Sequence, residues 1–81
     1  MSTPRAPGER ALNQDPNALR GRRIAAGLSK VALAEKAQIS TTHMTQVELG
    51  QKSASPAVLV RLAKALGCDP EDLMARELIA K

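Results

Sequence analysis

Two serines, Ser29 and Ser40, constrain this chain more than any other feature. Each stands directly before a short segment with helical spacing. There its hydroxyl can accept one of the backbone N–H groups that the start of a helix leaves without a partner. The stretch SKVALAEKAQISTTHMTQVE, from Ser29 to Glu48, therefore reads as two short helices. The first is Lys30–Lys36, the turn is Ala37-Gln38-Ile39, and the second begins at Thr41. On the second helix Met44 and Val47 are one turn apart and share an inward face. At about 100° per residue, Thr42, Thr45 and Gln46 point roughly the opposite way. That outer face is small, polar and almost free of charge, which suits reading base edges in a DNA major groove and equally suits plain solvation.

The rest of the chain is punctuated in the same manner. Asp15-Pro16 opens a helix that runs through ALRGRRIAA to Gly27, with Leu19, Ile24 and the following Leu28 as its apolar contribution. Gly21 inside it costs about 1 kcal/mol relative to Ala. The next helix carries Val31, Leu33, Ala34 and Ala37, and Ala34 is small enough to permit a close helix crossing. Ser55-Pro56 opens a fourth helix, AVLVRLAKAL, with apolar residues at Leu59, Leu62, Ala63 and Leu66 before Gly67 closes it. Asp69-Pro70 opens a fifth, whose Glu71 and Asp72 suit the positive N-terminal end and whose apolar stripe is Leu73, Leu78 and Ile79. With no strand candidate, the expected fold is all-α, a compact five-helix domain over residues 15–81. Residues 1–14 read as a flexible arm, a disordered leader before anything else, although Arg5 and Arg10 are placed to follow a phosphate backbone or enter a minor groove. Leu49 falls near the outward face and is expected to pack under the loop at 51–54 in preference to touching a thymine methyl.

Composition narrows the partners. Aromatic content is 0%, so the core is aliphatic and the stacking platforms of most single-strand binders are missing. The net charge of +4 is unevenly spread. Residues 1–19 are neutral and residues 65–81 carry −2, whereas residues 20–64 hold eight basic groups against Glu35 and Glu48, a net of +6. An excess of that kind around paired helices fits a polyanion. Cys68 is the only cysteine, so no internal disulfide can form, and it is read as a small buried hydrophobe. No apolar run approaches the roughly 20 residues that span a bilayer, and no signal-peptide core is visible, so a cytoplasmic location is expected. One His and one Cys, without metal-ligand spacing, a nucleophile elbow or a phosphate loop, give no basis for an enzyme, a metal or a cofactor. His43 is read as a groove-edge or solvent-facing residue.

From about Leu19 to Leu73, the segments LRGRRIAAGLS, LAEKAQIS, MTQVELG and LVRLAKALG occur in an order and spacing that resemble the helix-turn-helix domain of lambda-repressor-like (XRE- or Cro-type) transcriptional regulators. The resemblance implies that Thr41–Glu48 is the recognition helix. It places Thr41, Thr42 and Gln46 at base edges, with His43 and Thr45 beside them. Phosphate contacts would come from Lys30, Lys52 and Arg20 or Arg22, and Arg23 and Glu48 would form an ion pair that sets the angle of the reading helix. Two departures stand out. Gln38 occupies a turn position that is commonly Gly, and the loop QKSAS after Gly50 is less basic than in many relatives. The leading expectation is a sequence-specific double-stranded DNA-binding regulator, a repressor acting as a homodimer. Its two subunits would pair through Leu73, Leu78 and Ile79, unless those residues finish the monomer core. The second is a protein-interaction module, such as an antitoxin-like or anti-regulator protein.

Overall fold

The computed structural model describes residues 12–75, which form four α-helices and one short 3-10 turn. Helix α1 is Pro16–Ala25, α2 is Lys30–Ala37, α3 is Thr41–Glu48 and α4 is Pro56–Leu66, followed by the 3-10 turn Pro70–Leu73. Each α-helix starts on a side-chain cap. Ser29 Oγ accepts the Ala32 N–H at 3.0 Å, Ser40 Oγ that of His43 at 3.0 Å, and Ser55 Oγ that of Val58 at 3.2 Å. Asp15 accepts from Asn17 at 3.0 Å, and Pro16 behind it has no N–H to leave unpaired.

The expected fifth helix is, among the described residues, only that 3-10 turn. The Asp69 N–H donates to the Asp72 carboxylate at 3.1 Å, and the chain then leaves helical geometry at Met74, which is extended with φ −83° and ψ 151°. Met74 instead forms an isolated antiparallel bridge with Gln14. The Ala75 N–H donates to the Asn13 carbonyl at 2.9 Å, and the Asp15 N–H to the Leu73 carbonyl at 2.8 Å. Pairing with the N-terminal segment thus replaces helix propagation. Leu78 and Ile79, and Arg5 and Arg10, lie outside the described residues.

The core is aliphatic throughout. Leu19, Leu33, Met44, Val47, Leu62 and Leu73 have no exposed surface, and Ala34 and Ala37 let α2 approach its neighbours closely. Leu73 therefore belongs to the monomer core and has no surface left for a subunit interface. Ile24 departs from expectation. It is 56% exposed, and α1 buries only Leu19. The reason is angular: Arg23, four residues on from Leu19, shares its inward face, and Ile24 falls past it.

The segment expected to be an arm up to residue 14 is ordered at its end. Gln14 is completely buried, and its side chain is hydrogen-bonded on both sides of its amide. The folded domain thus includes Asn13 and Gln14.

Candidate nucleic-acid interface

Helix α3 has two faces of different chemistry. Met44 and Val47 are fully buried and Glu48 is 7% exposed, while Thr41 and Thr42 are exposed and His43, Thr45 and Gln46 are half-buried. The buried carboxylate of Glu48 is neutralised across the domain by Arg23 on α1. Arg23 Nε donates to Glu48 Oε2 at 2.7 Å and Nη2 to Oε1 at 2.8 Å, a bidentate pair. A third donor, Nη1, reaches the Leu28 carbonyl at 2.9 Å, so one guanidinium ties α1, the corner before α2 and the end of α3. The hydrogen bond to Glu48 holds the Arg23 pKa above its ordinary value, against the opposing effect of burial. The planar guanidinium thus joins α1 to the last turn of α3 through two parallel charge-assisted bonds.

The start of α3 depends on the turn before it. Gln38 closes α2 in the left-handed region, φ 61° and ψ 43°, the only non-glycine with positive φ among the described residues. A non-glycine side chain there costs on the order of 1 kcal/mol. The turn keeps its form because the Gln38 and Ile39 N–H groups donate to the Glu35 and Ala34 carbonyls at 3.1 and 2.9 Å.

The candidate phosphate ligands are not all together. Arg20 and Lys30 line one open depression with Pro16, Asn17, Arg23, Glu48 and Leu49, beside the last turn of α3. Arg22 is elsewhere: its Nη2 lies 3.6 Å from Asp72 Oδ2 and faces the 3-10 turn. Lys52 is exposed on the loop after α3. The remaining positive charge of residues 20–64 sits in a second depression, lined by Lys36, Gln38, Arg61, Lys64 and Ala65. Lys36 and Lys64 there occupy the last turns of α2 and α4, where they complement the helix dipoles. The expectation that Leu49 packs under the loop is not met. Leu49 is 61% exposed and lines the Arg20–Lys30 depression, because the loop is already filled from the other side by Gln14.

Gln14, which holds the loop after α3, is not marked by any local pattern in the sequence. The only signal is an uncharged amide placed just before the Asp15 cap. Cys68 is half-buried, and burial foremost pushes its thiol pKa up, with Asp72 and Asp69 acting the same way and Arg22 opposing. That is the setting of an unreactive thiol. No group of His, Cys, Asp and Glu able to hold a metal ion occurs among the described residues, and no described helix is long and apolar enough to cross a membrane.

A capped α2, a tight turn and a capped α3 whose polar face is left open form one contiguous unit, and a family model described as a helix-turn-helix domain matches residues 17–76. The chain belongs to the helix-turn-helix domain family. Among solved structures, this helix-turn-helix domain is similar to the restriction-modification controller protein C.AhdI from Aeromonas hydrophila. The two are 33% identical with a TM-score of 0.69, covering 70% of this chain and 86% of the other. It is similar also to the clp gene regulator ClgR from Corynebacterium glutamicum, at 32% identity and TM-score 0.68, covering 70% of this chain and 61% of that one. The P22 c2 repressor, solved in complex with a synthetic operator, is 27% identical with TM-score 0.65, covering 69% of this chain and 85% of the repressor. The helix-turn-helix domain is thus of the lambda-repressor-like, XRE type, a DNA-binding regulator fold. No curated protein sequence gives a significant match.

Proposed function

We propose that this protein is a sequence-specific double-stranded DNA-binding transcriptional repressor that acts as a homodimer, with α3 entering the major groove. The observation that carries the reading is the construction of α3: an uncharged polar outer face, a bidentate ion pair joining its last turn to α1, and two cations, Arg20 and Lys30, that form no ion pair among the described residues and are gathered beside its end. Thr41, Thr42 and Gln46 meet base edges, with His43 and Thr45 flanking them. Gln46 can pair with adenine by accepting at Oε1 and donating from Nε2, and the threonine methyls can meet thymine. Arg20, Lys30 and Lys52 neutralise phosphates, and Arg22 is left to its contact with Asp72. Two subunits read half-sites about one helical turn, roughly 34 Å, apart. Repression follows from occupying a promoter, in keeping with the controller, regulator and repressor roles in the names of the similar structures.

The test is selection of a preferred site from random duplexes, then titration of that site at several salt concentrations. A preferred sequence should emerge, and log K should fall with log salt by about 0.9 per phosphate contacted, on the order of three per subunit. No preferred sequence, together with no salt dependence, would overturn the reading.

A further inference from the structure

The loop from Gly50 to Ser55 carries Lys52, and by composition it has little to hold it: a glycine, two serines, an alanine, a glutamine and a lysine. It is nevertheless stitched from two directions. From α3, the Gln46 carbonyl accepts the N–H groups of Gln51 at 2.8 Å and of Lys52 at 3.3 Å. From the N-terminal segment, Gln14 Nε2 donates to the Val47 carbonyl at 2.9 Å and to the Lys52 carbonyl at 2.8 Å, while Gln14 Oε1 accepts the Ala54 N–H at 2.9 Å. Asn13 adds two more bonds, its N–H to Ser53 Oγ at 2.9 Å and its Nδ2 to the Ala54 carbonyl at 2.8 Å. Gly50 is left-handed, with φ +77°, and a Cβ there would sit 3.4 Å from both Leu12 Cδ1 and Pro16 Cγ, so the same segment lies over the loop's first residue.

We propose that Gln14 is a positioning residue for DNA binding: it joins the last turn of α3 to the Lys52 loop, so that the Lys52 ammonium reaches a phosphate in register with the reading helix. This rests on the DNA-binding function proposed above. Gln14 is wholly buried, and among the described residues its three side-chain hydrogen bonds go to backbone of α3 or the loop. It touches no nucleic acid itself. Its effect is preorganisation, because a loop already ordered loses little freedom when the duplex arrives. Without it, Lys52 stays on a segment whose conformations are shared among many positions, and its contact no longer belongs to the same bound geometry.

A four-member cycle on the full chain tests this: wild type, Lys52→Ala, Gln14→Met and the double variant, each titrated with the selected duplex across a salt series. Lys52→Ala should lower the salt slope of the wild type by about one. In the Gln14→Met background the same substitution should leave the slope unchanged. A merely structural role for Gln14 would weaken binding in both backgrounds and keep the Lys52 decrement in each. Equal decrements, or no decrement in the wild type, overturn the proposal while leaving DNA binding intact; absence of any salt-dependent site binding by the wild type overturns the DNA-binding reading itself. Should Gln14→Met fail to fold by circular dichroism, Asn13→Ala/Ser53→Ala takes its place, since it cuts the outer tethers of the same loop, and is judged by the same criterion.

Discussion

At its first turn α3 is capped by a single local bond, Ser40 to His43, and leaves Thr41 and Thr42 in solvent. At its last turn the Val47 carbonyl is held by Gln14, the Glu48 carboxylate by Arg23, and the Gln46 carbonyl by the loop. One helix is thus anchored at one end and free at the other. The contrast separates two kinds of substitution: those that remove an anchoring side chain change the fold, and those on the outer face of the helix change only what the fold touches.

The largest expected effect breaks the anchor. Glu48→Ala leaves the Arg23 guanidinium, itself little exposed, without its partner, and should cost about 3–5 kcal/mol in urea unfolding. A loss below about 1 kcal/mol would mean that the two ends are held alike. Gln46→Ala, on the outer face, should leave the urea midpoint nearly unmoved, a change within about 0.5 kcal/mol. It should weaken binding to the selected duplex by about 1–3 kcal/mol in a fluorescence titration. Ser40→Ala sharpens the comparison from the free end, because only the cap is lost there. About 1 kcal/mol of stability should go, without the cooperative collapse expected of Glu48→Ala. Smallest of all, Gln38→Gly relieves the left-handed turn before α3 and should raise the urea midpoint by the equivalent of under about 1 kcal/mol, since glycine's extra unfolded-state freedom offsets part of the gain. A fall in stability would show that the Gln38 side chain contributes contacts that outweigh the strain.

What was legible in the sequence was local. Ser29, Ser40, Ser55 and Asp15 announce helix starts because a cap and the N–H it serves lie within three residues of each other, and Pro16, Pro56 and Gly67 punctuate the same ends. Met44 and Val47 on α3 and Leu59, Leu62 and Ala63 on α4 followed from periodicity, whereas Val58 is buried without having been expected there and Leu66 is only half-buried. What spacing alone could not show was any contact between distant parts of the chain. Arg23 and Glu48 are 25 positions apart, and only the family resemblance brought them together. Gln14 bonds residues 33 to 40 positions away and follows a start with two prolines, two arginines and no apolar period, so nothing near it in sequence marks it. The apolar character of Leu49 argued for burial, yet Gln14 already fills the underside of the loop and Leu49 is left in the open depression with Arg20 and Lys30. The fifth helix was overestimated for a related reason. Its capping residues are sound, but among the described residues Met74 is extended, and Met74 and Ala75 pair with Gln14 and Asn13 in place of a further helical turn.

Everything functional here depends on the outer face of α3 meeting duplex DNA, and backbone amide chemical shifts followed during addition of the selected duplex at low ionic strength test that directly. The account predicts the largest shifts at Thr41 to Gln46, with smaller ones at Lys30 and Lys52 and none at Lys36, Arg61 and Lys64 in the second basic depression. Shifts confined to that second depression, with Thr41 to Gln46 unmoved, would contradict it.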